Sequence, residues 1–127
     1  MTLITDERWL ELLEMRAAAP EAIGHALGKR TKRPLLAADG ATFIIAIDHP
    51  ARGMVGASGQ PFVMANRRDV LERTMTAMAD PGVDGVMATP DILDDLALLG
   101  ALDGKVTIGS INRGGLMGSS WELDDQL

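Results

Sequence analysis

The sequence has no cysteine and no tyrosine, and aromatic residues make up only 3% of its 127 residues. The absence of cysteine excludes disulfide scaffolds, thiolate zinc sites and thiol catalysis. The scarcity of aromatic residues disfavours the stacking platforms that bind single-stranded nucleic acid. Acidic residues outnumber basic ones by 18 to 12, which leaves a net charge of −6 and no global field for holding nucleic acid or an anionic membrane. Neither partner is expected.

Long apolar runs are also missing: none approaches the roughly 20 residues that a membrane-spanning helix needs. Residues 1–8 lack the basic stretch and apolar core of a signal peptide, so the sequence predicts a cytoplasmic location. The histidines His25 and His49 lie too far apart to give a metal-ligand spacing. We therefore expect no metal, and we predict no other cofactor.

What the sequence does contain is a globular composition, 46% hydrophobic and 24% charged, with helix and strand patterns in alternation. Thr5 is predicted to cap a first helix, and Pro20 to open a second that Gly28 ends. Three apolar runs then predict strands, near residues 43–48, 85–89 and 106–111. The order predicts an α/β fold with a parallel sheet. We divide it into an N-terminal helical extension, 1–33, and a sheet-containing unit, 34–127.

The residue pattern of the helices between these strands predicts which side chains face the core and which face water. The helix predicted over 66–79 has an apolar stripe and a second face predicted to meet water, formed by Arg68, Glu72 and Thr76. Thr89 is predicted to cap the next helix, with Pro90 at its first position. The pair Asp94-Asp95 within that helix is interpreted as solvated charge.

Polar residues cluster after each predicted strand, where parallel α/β proteins place their chemistry. Asp48 directly follows five apolar residues, and an unpaired carboxylate is costly to bury there. We therefore take Asp48 as the catalytic candidate, although a strand-end aspartate that caps loop amides fits its position equally well. His49 could act as a general acid or base or as a metal ligand, but we interpret it as a loop residue held by hydrogen bonds. The candidate substrate-binding residues are His49, Arg52, Thr89, Ser110, Asn112 and Arg113.

The run Phe43–Gly53, FIIAIDHPARG, resembles the first strand and loop of the class I (Schiff-base) aldolases of the fructose-bisphosphate and deoxyribose-phosphate aldolase superfamily. The segment Asp84–Pro90 is similar to the second strand of that superfamily, and Gly109–Leu116 is similar to the third strand in an aldolase-like branch of it. The resemblance implies the N-terminal part of a (β/α)8 TIM barrel, about three βα units, truncated after strand 3. It also implies a Schiff-base lysine late in the barrel and a first-strand carboxylate, here Asp48, that assists proton transfer.

The leading hypothesis is part of a carbon–carbon lyase that acts on a sugar-derived or phosphorylated carbonyl substrate. The chain alone is expected to be inactive, because Lys29 and Lys32 precede the barrel and Lys105 begins the third strand at the wrong end. A missing C-terminal half or a homo-oligomer mate would complete it.

Two alternatives stay open: a non-catalytic binding or assembly module, and a flavodoxin-like nucleotide-binding domain. The loop Gly53–Gln60 has neither the P-loop ending nor the GxGxxG spacing, which weighs against the nucleotide-binding domain.

Overall fold

The computed structural model describes residues 2–111. Within that range the chain forms four α-helices, one 3-10 helix and three β-strands. In chain order these are α1 (Asp6–Ala18), α2 (Glu21–Lys29), β1 (Ile44–Ile47), the 3-10 helix (His49–Arg52), α3 (Arg67–Met78), β2 (Gly85–Ala88), α4 (Pro90–Leu98) and β3 (Val106–Gly109). None of these helices is both long and apolar enough to cross a membrane.

The three strands form one parallel sheet in the order β1-β2-β3, which confirms the predicted α/β class and the predicted adjacency of the strands. Ile44 pairs with Gly85, and Gly85 pairs with Val106. A Cβ atom at Gly85 would lie 2.2 Å from the carbonyl oxygen of Val106, so only glycine fits where the central strand begins. This glycine allows the close approach of β3.

One face of the sheet packs against the helices. Ile45, Ile47, Val86 and Ala88 on that face belong to the hydrophobic core, together with the following residues of α3 and α4: Leu71, Met78, Ile92 and Leu96. Ile4 and Leu12 from the N-terminal region are buried in the same core.

The other face of the sheet is less covered within residues 2–111. Ala46 is exposed there, and Ile108 is 37% exposed. Phe43, which directly precedes β1, is 57% exposed. The sheet thus offers an apolar surface on the side away from the helices.

Helix ends follow the predicted signals in part. The hydroxyl of Thr5 accepts a hydrogen bond from the Arg8 amide at 3.2 Å, as a capping residue does. The prediction that Gly28 ends α2 is wrong: Gly28 does not adopt the positive φ of a helix-terminating glycine, and the helix continues to Lys29. Thr89 stands at the cap position of α4, but its side chain makes no capping hydrogen bond.

The prediction that Arg68 and Glu72 face water is also wrong, because both hold the N-terminal segment. The Glu72 carboxylate accepts the backbone N–H groups of Leu3 and Ile4, the second at 2.8 Å. Arg68 donates to the Ile4 carbonyl at 2.6 Å and to Asp6 at 2.7 Å. These partners lie more than 60 residues apart in the chain, so helical periodicity alone could not reveal them.

Candidate functional site

Asp48 occupies the carboxyl end of β1, where the chain turns directly into the 3-10 helix. Its side chain is almost completely buried, and the residue as a whole is 6% exposed. The 3-10 turn brings Arg52 back toward β1, so that its Nη2 donates to Asp48 Oδ2 at 3.0 Å. Gly53 ends the turn at a φ of 73°, a left-handed conformation that favours glycine. Local chain geometry therefore supplies this buried carboxylate with its cation.

Ser110, which directly follows the other edge strand, β3, contacts the same carboxylate. Its Oγ lies 3.3 Å from Asp48 Oδ2 and donates to it, although β2 separates the two strands. The sheet register explains this meeting. Ala46 and Ile108 share one level of the sheet, and Asp48 and Ser110 stand two residues further along the same strands, hence on the same face. That face is the one that the helices leave uncovered.

His49 lies beside the other oxygen of the carboxylate. Its Nδ1 is 3.9 Å from Asp48 Oδ1, too far for a hydrogen bond. This Nδ1 is buried and has no hydrogen-bond partner among residues 2–111, yet the side chain as a whole is 45% exposed. Asp48 therefore has two partners on Oδ2, while Oδ1 faces an unpaired imidazole nitrogen.

Thr89 lies at the same edge of the sheet but contributes to a neighbouring cavity of about 290 Å³, which Arg67 and Asp91 also line. Arg67 Nη1 lies 2.6 Å from Asp91 Oδ2. Burial alone would raise the pKa of the Asp91 carboxyl, but the nearby Thr89 hydroxyl and the hydrogen-bonded Arg67 guanidinium outweigh it and lower that pKa. Thr89 thus supports an ion pair beside the Asp48 site.

The structure brings together Asp48, His49, Arg52 and Ser110, and it places Thr89 in the adjoining cavity. The predicted site residues Asn112 and Arg113 lie outside the described residues. Whether these groups bind a substrate stays a prediction. Within residues 2–111, no three potential ligands are grouped so that they could hold a metal ion.

Lys105 occupies the opposite edge of the sheet. It directly precedes β3, and its Nζ donates to the carbonyl of Val83 at 2.6 Å. Nearby, the Asp84 carboxylate accepts the amide N–H of Phe43 at 2.7 Å and a hydrogen bond from Arg33, and these lower its pKa. Lys105 is therefore held at the edge where the strands begin, far from the carboxyl-end cluster.

The prediction that Asp95 is a solvated charge is wrong, since its side chain is only 1% exposed. Arg16 of α1 donates to Asp95 Oδ1 at 2.8 Å, and Nε of Arg67 donates to Oδ2 at 2.6 Å. The signal that could have revealed this cluster is Arg16 itself, which stands one helical turn after the buried Leu12. An arginine on the inward face of a helix needs an anionic partner, because a buried charge is costly unless it is paired, and this predicts a buried carboxylate.

No functionally curated protein matches the chain. One solved structure matches it, the crystal structure of Cgl0159 from Corynebacterium glutamicum (Brevibacterium flavum). The two proteins share 50% sequence identity, and the match covers 99% of the present chain at a TM-score of 0.90. The chain spans 43% of that protein, less than half of its length. The family model described as Cgl0159-like matches residues 40–127. Because the match covers more than half of the sequence, this chain belongs to the Cgl0159-like family.

Proposed function

We propose that this chain supplies the first three βα units of a (β/α)8 barrel and the first-strand carboxylate of a class I aldolase-like carbon–carbon lyase. The observation that carries the proposal is the position of Asp48. It is a buried carboxylate at the carboxyl end of β1, on the sheet face that the helices do not cover, and it is held by Ser110, which directly follows β3. In (β/α)8 enzymes that edge of the sheet carries the active site.

The barrel architecture is supported by the two unequal faces of the sheet. Helices cover the side of Ile45 and Val86, whereas Ala46 and Ile108 form an apolar surface that closure of a barrel would bury. The related structure is about 290 residues long, since 43% of it corresponds to 99% of the 127 residues here. Barrels of this class typically need about 250 residues.

In class I aldol cleavage, a lysine amine forms an iminium with the substrate carbonyl, and this iminium receives the electrons of the breaking carbon–carbon bond. The substrate hydroxyl must lose its proton as that bond breaks, and Asp48 would assist the transfer. Of the three lysines of this sequence, two precede the sheet and Lys105 directly precedes β3, so the amine would come from another part of the barrel. The expected substrate is a sugar-derived or phosphorylated carbonyl compound.

Arg52 would bind an anionic group of that substrate while it holds Asp48. Its side chain is 38% exposed, so part of the guanidinium remains available beyond the Asp48 contact. Guanidinium groups bind phosphate and carboxylate through paired hydrogen bonds. The further residues proposed to contact the substrate are Thr89, Ser110, Asn112 and Arg113.

A chimeric protein tests the proposal, in which this chain replaces the matching 43% of the Corynebacterium glutamicum protein. We expect borohydride reduction with sugar-derived or phosphorylated ketones and aldehydes to trap a covalent adduct on the chimera. Mass spectrometry should locate the adduct on a lysine outside this chain. The 127-residue chain alone should give none. A specific adduct on Lys105 would contradict the lysine assignment, and a chimera that forms no adduct would favour the non-catalytic module.

In an active chimera, Asp48→Asn should lower kcat by roughly 10²–10⁴-fold, the range expected when assisted proton transfer is lost. Adduct trapping should persist, because the lysine reacts without Asp48. Asp94→Asn is the matched control, since Asp94 lies on α4 and only approaches Arg16, at 4.0 Å. Full activity in the Asp48→Asn chimera would leave Asp48 only the structural role of holding Arg52 and Ser110.

A further inference from the structure

We propose that His49 is the catalytic residue that exchanges a proton with the substrate, and that Asp48 is the positioning residue that orients it. In this arrangement Asp48 Oδ1 accepts a hydrogen bond from Nδ1–H of His49, which leaves the lone pair of Nε2 free to act as the base. The reaction itself rests on the proposed lyase function, whereas the Asp48–His49 pairing rests on geometry alone.

The first observation is the unequal use of the two carboxylate oxygens. Arg52 and Ser110 both donate to Oδ2 of Asp48, at 3.0 Å and 3.3 Å. Oδ1 accepts no hydrogen bond from residues 2–111, and its neighbour is Nδ1 of His49 at 3.9 Å. With both donors on one oxygen, the carboxylate is fixed in orientation and presents its second oxygen to the imidazole.

The second observation is the unequal exposure of the imidazole ring. Nδ1 is buried and has no partner among the described residues, which is a costly state for a polar atom. The side chain is nevertheless 45% exposed, so the exposed part of the ring lies away from Nδ1. The ring thus has one nitrogen turned toward Asp48, and its other side reaches the open surface.

The remaining gap is small enough for a change in ring orientation to close it. The backbone of His49 is fixed, because its carbonyl accepts the Met54 amide at 3.1 Å and Pro50 follows directly in the 3-10 helix. Catalytic hydrogen bonds are often long before the substrate binds and shorten in the complex. Rotation of the imidazole would bring Nδ1–H to Oδ1 and satisfy both unpaired atoms.

The proton transfer then balances. Nε2 of neutral His49 takes the hydroxyl proton of the iminium-bound substrate, the carbon–carbon bond breaks, and its electron pair moves into the iminium. The imidazolium is stabilised by the Asp48 carboxylate, which keeps its charge and does not take up the proton. Return of this proton from Nε2 to the carbon that received the electrons restores neutral His49.

The test is the imidazole tautomer in the 127-residue chain, measured by long-range ¹H–¹⁵N NMR at about pH 8, where an ordinary histidine is neutral. The chain has two histidines, so His25→Gln assigns both signals, and His25 serves as the reference. We expect the ratio of the Nδ1–H to the Nε2–H tautomer to be about tenfold or more higher in His49 than in His25, because the acceptor is charged. Asp48→Asn should abolish this preference.

Ser110→Ala is the matched control, because it removes one contact to Oδ2 and leaves Oδ1 in place. It should keep the tautomer preference. A wild-type His49 with the tautomer ratio of His25 would overturn the proposal, and so would a preference that survives in a folded Asp48→Asn chain. The wild-type measurement decides even if a variant does not fold. Because this measurement needs no turnover, it is separate from adduct trapping, which tests the lyase function.

Discussion

Two buried carboxylates in this molecule have opposite surroundings. Asp95, 1% exposed, has each oxygen bound by an arginine, Arg16 on Oδ1 and Arg67 on Oδ2. Asp48, 6% exposed, has both of its hydrogen bonds on one oxygen and leaves the other beside an unpaired histidine nitrogen. A carboxylate with every partner in place can hold helices together. A carboxylate with one oxygen that accepts no hydrogen bond can bind a new partner. We therefore assign a structural role to Asp95 and a role in the reaction to Asp48.

The largest expected effect is the loss of stability on Asp95→Ala. Removing one member of a buried ion pair typically costs 3–5 kcal/mol. We expect about 3 kcal/mol, the lower end of that range, because Arg16 and Arg67 are 32% and 38% exposed and can regain water. Urea unfolding followed by circular dichroism measures it. Asp94→Ala is the control and should change stability little; equal losses in the two variants would remove the structural role given to Asp95.

Asp48→Asn should affect the free energy of unfolding far less, by about 1 kcal/mol or below. Asparagine keeps the shape of the side chain and an oxygen that can accept from Arg52 and Ser110, and it removes the desolvation cost of the buried charge. Arg52 is 38% exposed and can be solvated once its partner is neutral. The same urea titration applies. A loss as large as that of Asp95→Ala would erase the contrast between the two carboxylates and return Asp48 to a structural role.

The smallest effect concerns pH and the Arg67–Asp91 pair next to Asp95. The pKa of Asp91 is lowered in the folded chain from its usual 3.8, despite the opposing effect of burial, by the nearby Thr89 hydroxyl and by a hydrogen bond from Arg67. Its contribution is therefore present above that value and is lost as the pH falls through the lowered pKa. Because the Asp91 side chain is 49% exposed, we expect only about 0.5 kcal/mol.

Urea midpoints at pH 7 and pH 3 check this, in the wild type and in Asp91→Asn. The variant should lose slightly less stability on acidification than the wild type does. The remaining loss should come from other carboxyls with lowered pKa values, such as Asp84. An unchanged pH dependence would show that Asp91 contributes nothing to the Arg67–Asp95 cluster.

Much of the scaffold could be predicted from the sequence. The runs ending at Ile47, Ala88 and Gly109 form parallel neighbours, because apolar, β-branched segments between helices have few other arrangements. The position of Asp48 after such a run placed it at the carboxyl edge. The barrel, the Schiff-base chemistry and the cytoplasmic location remain predictions, and Asn112 and Arg113 lie outside the described residues.

The contacts of charged side chains could not be predicted from the sequence in the same way. Asp94 and Asp95 are adjacent and identical in chemistry, yet their side chains are 30% and 1% exposed. A rotation of 100° between successive helical residues decides which one points at Arg16 and Arg67. Helical periodicity also placed Arg68 and Glu72 toward water, where the N-terminal segment in fact lies.

The order of helices and strands, and the edge of the sheet that carries Asp48, follow from the spacing of apolar residues along the chain. Which charges meet depends instead on tertiary packing. Ser110 reaches Asp48 across 62 residues, and Arg16 reaches Asp95 across 79. Such pairings depend on how the elements pack in three dimensions, and neither local propensity nor periodicity predicts that packing.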